Sequence, residues 1–226
     1  MVDIHRRRRQ PWRQAARCGS SRVNSTHSMT VKFERRTVLA LLLAPALPAW
    51  ATRSITTDGF TFVGEITLAG ASLQLNGVGL RAVSWLKGYA AGLYLPAKAK
   101  TPAEVLAQPG PKRLQLRMLL EVDAEEFVKA LNKGVERNTP AAEAARMTER
   151  MLRFAALVRG LGKLKKKDVV DLDFLPERGL QLGLNGRPRG EPIPGSDLYA
   201  AMLRCFIGER PTDPELKQGL LGGPVA

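Results

Sequence analysis

The sequence predicts an α+β domain built on a largely antiparallel sheet with helices on one face. Three observations predict it. Several segments alternate apolar and polar residues at period two, most cleanly Leu114-Gln115-Leu116-Arg117-Met118. Other segments carry helical stripes, such as Met147, Met151, Phe154 and Val158. Asn76-Gly77 and Asn185-Gly186 are turn or bulge signals of the kind that join antiparallel strands. The elements run β-rich, two helices, β-rich, two helices.

The N-terminal region stands outside that domain. The chain has 226 residues and a formal net charge of +14. Residues 1–51 alone hold ten Lys/Arg against two Asp/Glu. Residues 29–51 read as a secretory signal peptide. Lys32, Arg35 and Arg36 form its basic region, Val38 to Leu47 its apolar region, and Ala49-Trp50-Ala51 its cleavage site. The apolar run is interrupted by Pro45 and Pro48 and is shorter than the ~20 residues of a membrane helix. An uncleaved anchor is the competing reading; after cleavage no stable membrane span is expected. Arg35-Arg36 followed by Thr, Val and Leu also resembles a twin-arginine export signal. Residues 1–28 read as a non-native or disordered extension upstream of a true start at Met29. The competing reading, a basic nucleic-acid-binding arm, sits awkwardly in front of a signal peptide. Residues 52–226 are then one exported, periplasmic domain, with no nucleic-acid partner expected.

Within that domain, Ile66 and Leu68, then Leu73 and Leu75, alternate as strands. From Val78 to Trp85 both parities are mostly apolar, which predicts a strand covered on both faces. Tyr89, Ala91, Leu93 and Leu95 then alternate with Ala90, Gly92 and Tyr94, and Pro96 ends the run. Thr101-Pro102 opens a short helix. In the strand after it Arg113, Gln115 and Arg117 are expected to face water. Asp123 with Glu126 forms a capping-box pattern before a helix bearing Phe127, Leu131 and Val135. Thr139-Pro140 opens a longer helix, which Gly160 ends. Lys163 to Asp168 reads as a solvated basic loop. Three strands follow, at 170–174, at 180–184 and, after the Asn185-Gly186 turn, in "RPRGEPI", and Asp171 and Asp173 are expected as solvated carboxylates. Ser196 is expected to cap a helix carrying Leu198, Met202 and Phe206, and Asp213-Pro214 to open the last one, through Leu220.

Composition excludes several chemistries. His5 and His27 are the two histidines, and both precede residue 52. Residues 52–226 therefore lack the histidine of a Ser-His-Asp or Cys-His centre and of a histidine metal site. No metal or other cofactor is expected. Cys205 is the one cysteine of that region, so no internal disulfide can form. It lies in the apolar stretch "YAAMLRCFIG" and reads as a buried, inert thiol.

The motifs "LNGVGLR", "GYAAGLYLP", "LNGRPRGEPIPG" and "DLYAAMLRCFIGERPTDPELKQGLLG" resemble the chalcone isomerase-like family, in its exported bacterial branch. The resemblance covers about 62–222. It implies an open-faced β-sandwich, a large antiparallel sheet with a layer of helices and a ligand cleft between them. It also implies two kinds of function: cyclisation of a chalcone, an intramolecular lyase reaction, or non-catalytic binding of fatty acids. Both kinds place an arginine where Arg81 stands, against an enolate-like oxygen in the enzymes and against a carboxylate, with a tyrosine's help, in the binders. The enzymes' ketone-polarising threonine falls near Tyr89, and four residues are missing between Arg81 and Tyr89. A tyrosine and an asparagine of the enzymes fall at Phe127 and Gly134, which donate no side-chain hydrogen bond.

Arg81 is a permanent charge on a strand that otherwise reads as core, so it needs an anionic partner. Its planar fork suits a carboxylate. Gly77 and Gly79 would let a ligand approach the backbone, and Trp85 could wall the site or stack on the guanidinium. The expectation is a small amphipathic anion, a fatty acid or other carboxylate, held by Arg81 with Tyr89 or Tyr94 as second donor. Tyr89 is favoured on parity. Three alternatives stay open: an isomerase using Arg81 and Tyr89 on an enone, a structural protein with a closed cleft, and an Arg81 that merely pairs with an internal acid such as Glu65 or Glu121.

Overall fold

The computed structural model describes residues 54–57, 59–83 and 86–224. The expectations for residues 1–51 and for Trp85 lie outside these described residues. A hairpin of β1 (Ile55–Thr57) and β2 (Phe60–Phe62) comes first, then β3 (Glu65–Leu68), β4 (Ala71–Val83) and β5 (Leu86–Leu95). After α1 (Pro102–Ala107) come β6 (Lys112–Met118), β7 (Val122–Asp123), α2 (Ala124–Asn138), α3 (Ala141–Arg146) and α4 (Thr148–Arg159). The last third holds β8 (Lys163–Leu164), β9 (Val169–Leu175), β10 (Gly179–Leu184), β11 (Arg187–Ile193), α5 (Ser196–Ile207) and α6 (Pro214–Leu220).

Seven strands form one sheet in the spatial order β11-β10-β9-β6-β5-β4-β3, every neighbouring pair antiparallel. Leu93, Leu95, Leu114, Leu116, Met118, Val170, Leu172 and Leu182 form the main core with the buried faces of the helices. The opposite face carries a smaller core, Leu73, Leu75, Val78, Leu80, Ala90 and Tyr94, under Phe62 of the hairpin. The α+β architecture with helices layered on one sheet face is the expected one.

Local signals place most elements. Thr101 caps α1 in a reciprocal box with Glu104, and Asp213 caps α6 through Glu215 N and Leu216 N. Asp123 caps α2 through Glu125 N, but the expected box with Glu126 does not form. Glu126 instead pairs with Lys129 at 2.7 Å, one turn along the exposed face. Ser196 is the first helical residue of α5, not its cap; Gly195, with φ of 114°, holds the cap position. The helix expected after Pro140 is two, α3 and α4, broken at Met147. There the backbone tightens to a bond from Met147 N to Ala144 O, and the fully buried methionine anchors the joint. The basic stretch after Gly162 also differs: Leu164 is buried, and Lys163-Leu164 pairs with Val122-Asp123.

The polar face of β6 is the clearest correction. Asp171 and Asp173 are not solvated; they are 3% and 6% exposed. Arg113 stands opposite Asp173 in register and Gln115 opposite Asp171. Arg113 donates Nε and Nη2 to the two oxygens of Asp173 at 2.6 and 2.7 Å, and Gln115 donates to Asp171 at 2.9 Å. Arg117 lies 4.9 Å from the centre of the Phe62 ring. The pairs sit at the centre of the sheet, where neighbouring side chains cover each other.

Cys205 is buried in α5 against Gly134 of α2, where an added Cβ would meet its sulfur at 2.8 Å. Burial pushes its thiol up to about 12. Cys205 should therefore resist iodoacetamide in the folded protein at neutral pH and become labelled in urea. Rapid labelling of Cys205 in the folded chain, read by peptide mass spectrometry, would contradict this.

Candidate functional site

The long antiparallel pair of β4 and β5 positions Arg81. The pair shifts register between Leu75 and Gly77, so the Asn76-Gly77 signal is a bulge. The buried Asn76 side chain donates to Ala99 O at 2.9 Å and Leu220 O at 2.7 Å, and accepts from Ala99 N at 2.8 Å. It thereby ties the end of α6 to the bulge. Beyond the bulge, Val78 and Leu80 belong to the small core, and Gly77, Gly79 and Arg81 have the opposite parity.

Gly77 and Gly79 do not serve a ligand. A Cβ on Gly77 would fall 2.1 Å from Gly219 O, and one on Gly79 would fall 2.4 Å from Leu216 O. The space expected for a ligand is filled by the backbone of α6. The two glycines, with Gly219 facing them, allow helix and strand to touch main chain to main chain.

Arg81 follows directly. Its Nη1 donates to Thr212 O at 2.9 Å and lies 3.5 Å from Asp213 Oδ2. Asp213 uses its other oxygen, Oδ1, to cap α6 at 2.9 and 3.1 Å. Neither acid suggested as an internal partner is used: Glu65 accepts from Ser72, and Glu121 pairs with Lys163. The Arg81 side chain is 25% exposed and that of Asp213 is 12% exposed. Among the described residues Nε and Nη2 of Arg81 have no hydrogen-bond acceptor, so one edge of the fork is unused.

Tyr89 is the cross-strand partner of Arg81 and packs against the main core. Burial raises the pKa of its phenol, opposed by Arg81 and assisted by Asp213 and Cys205. It stays a neutral donor across the physiological range. Among the described residues its hydroxyl makes no hydrogen bond. Tyr94 is on the other face, fully buried in the small core, with no partner for its hydroxyl among the described residues. Burial pushes it up to about 12, against the nearby Arg117 and Arg113. The structure brings Tyr89 to Arg81 and does not bring Tyr94. Asp213 is the residue that sequence reasoning missed: its capping role was legible, but not the partner of its second oxygen.

Phe127 is 7% exposed and belongs to the main core. With Gly134 packed on Cys205, α2 supplies no hydroxyl or amide at those two positions. Among the described residues no group of three or more His, Cys, Asp and Glu could hold a metal, and no helix is long and apolar enough to cross a membrane.

A crystal structure of a fatty-acid binding protein from Arabidopsis thaliana is similar in fold, with a TM-score of 0.57 and 17% identity. The alignment covers 75% of this chain and 96% of that one. Among curated protein sequences nothing matches the chain. A profile described as chalcone isomerase-like matches residues 54–222, nearly all of the described structure. The chain belongs to the chalcone isomerase-like family.

Proposed function

We propose that the domain binds a small amphipathic carboxylate, a fatty acid or a molecule like one, and performs no catalysis on it. One observation carries the reading: among the described residues, the Nε and Nη2 edge of Arg81 is uncommitted beside the neutral phenol of Tyr89. A carboxylate can accept two parallel hydrogen bonds from that edge and a third from the phenol. Asp213 at 3.5 Å offsets part of the charge of Arg81 while no ligand is bound. The fatty-acid ligand of the structural neighbour supports the choice of ligand class. The absence of donors at Phe127 and Gly134 supports the non-catalytic half, because an arginine and a phenol alone organise little of an oxyanion site. The signal-peptide pattern at 29–51 supports export, with the domain working in the periplasm.

A second reading has its own support. The ion pair to Asp213 and the filled space over Gly77 and Gly79 fit a protein whose cleft is closed by its own chain, with Arg81 as a strut for α6. Native mass spectrometry of protein made from the full chain, without added ligand and then with palmitate, separates the two. Binding predicts an adduct of fatty-acid mass that is lost in Arg81→Ala and weakened in Tyr89→Phe. An adduct kept in Arg81→Ala would sink Arg81 as the anchor. No adduct under either condition would favour the strut. No turnover of a chalcone is expected in the parallel assay.

A further inference from the structure

Lys112, at the start of β6, is an anomaly that the Arg81 site leaves unexplained. It is 5% exposed, yet among the described residues it has no ion pair. Its ammonium donates to Gln108 O at 2.5 Å and lies 5.2 Å from the centre of the Phe174 ring. A carbonyl and an aromatic face favour the charged form but do not neutralise it, and a buried ammonium without a counter-charge is costly. Burial lowers its pKa, as expected for a cation without an acidic neighbour.

Lys112 lines a cavity of about 120 Å³ with Gln108, Phe174, Ser196, Tyr199 and Ala200. No carboxylate lines it. The two acids nearest in sequence to its walls are committed elsewhere. Asp173 points to Arg113 on the opposite sheet face, and Asp197 holds Arg150 through two contacts of 2.6 Å. Tyr199 donates to Leu172 O at 3.5 Å, so its hydroxyl is turned to the sheet. Ser196 is the first residue of the twelve-residue α5, and its hydroxyl caps nothing. The first turn of that helix is capped by its own acid, because the Asp197 carboxylate accepts from the backbone N–H groups of Asp197 and Leu198, so the positive charge at the cavity is that of Lys112. At ~30 Å³ for each water-sized group, the cavity has room for about four non-hydrogen atoms.

We propose that this cavity is a second binding site, for a small carboxylate of acetate size held by the Lys112 ammonium beside the Ser196 hydroxyl. The anion supplies the counter-charge that the fold omits, and its methyl group lies against Phe174 and Leu203. A long-chain ligand does not fit there, so the site is independent of the one at Arg81.

Saturation-transfer NMR on the full chain, with acetate as the probe, tests it. Wild type should show transfer to the acetate methyl protons. Lys112→Met should lose it, and so should Ala200→Leu, which fills the cavity while leaving the ammonium in place. Arg81→Ala should keep it, so failure of the fatty-acid reading would leave this one standing. No transfer in wild type would overturn the proposal, as would equal transfer in Lys112→Met. If Lys112→Met fails to fold, transfer retained by Ala200→Leu overturns it.

Discussion

Arg113→Met is expected to destabilise the fold by about 3 kcal/mol, because it leaves buried carboxylates without their counter-charge. Arg113 reaches both acids, Asp173 at 2.6 Å and Asp171 at 3.6 Å, and their side chains are 8% and 5% exposed. The pair is bidentate and lies at the centre of the sheet, so it is neither screened nor replaceable by water as a surface pair would be. Urea unfolding followed by circular dichroism measures the loss, and a change below about 1 kcal/mol would show that the pair behaves like a surface one.

The same variant has a pH signature. Asp173 already has a raised pKa in the folded protein, from burial first, with Arg113 opposing and Asp171 adding to the rise. A carboxyl that holds its proton more tightly when folded makes the folded state gain stability as pH falls through the window from the ordinary value to the raised one. Removing Arg113 takes away the opposing effect and extends that window upward. The gap between wild type and Arg113→Met should therefore narrow as the pH falls from neutral towards the ordinary carboxylate range. A gap that widens on acidification would mean that Asp173 is held ionised by something else.

Asn76→Ala is expected to cost a similar amount, about 3 kcal/mol, for a different reason. It removes three hydrogen bonds and leaves Ala99 N, Ala99 O and Leu220 O short of a side-chain partner inside the protein. The damage should be local. Hydrogen exchange should rise first in α6, which Asn76 pins, while β6 and β9 keep their protection. Loosening α6 also frees Asp213 from Arg81, so under the binding reading Asn76→Ala should still take up palmitate, whereas Arg81→Ala should not. Uniform loss of protection across the sheet would show that α6 is not held as a separate unit.

Much of this is legible in the sequence. The alternation from Leu114 to Met118 fixed which residues enter the main core. Thr101, Asp123 and Asp213 marked helix starts, and Asn76-Gly77 marked an irregularity that proved to be a bulge. Parity alone set Tyr89, rather than Tyr94, on the face of Arg81. Each of these depends on neighbours within a turn or two, and such interactions are written in consecutive residues.

Other features depended on closure between distant segments. Arg81 meets Asp213 across 132 positions, and only the seating of α6 on Gly77 and Gly79 makes that pair. The same glycines read as an opening for a ligand when α6 is not in view. Asp171 and Asp173 look like a solvated strand edge until β9 is seen lying beside β6, with Arg113 and Gln115 in register. The burial of Lys112 likewise comes from α5 and Phe174, which enclose it. The sequence by itself determined the main strands, the starts of α1, α2 and α6 and the residues of β6 that enter the main core, because backbone hydrogen bonding and side-chain periodicity are local. The tertiary structure alone decided which charge meets which, because a long side chain takes its partner from whatever the packing of remote segments brings within hydrogen-bond reach.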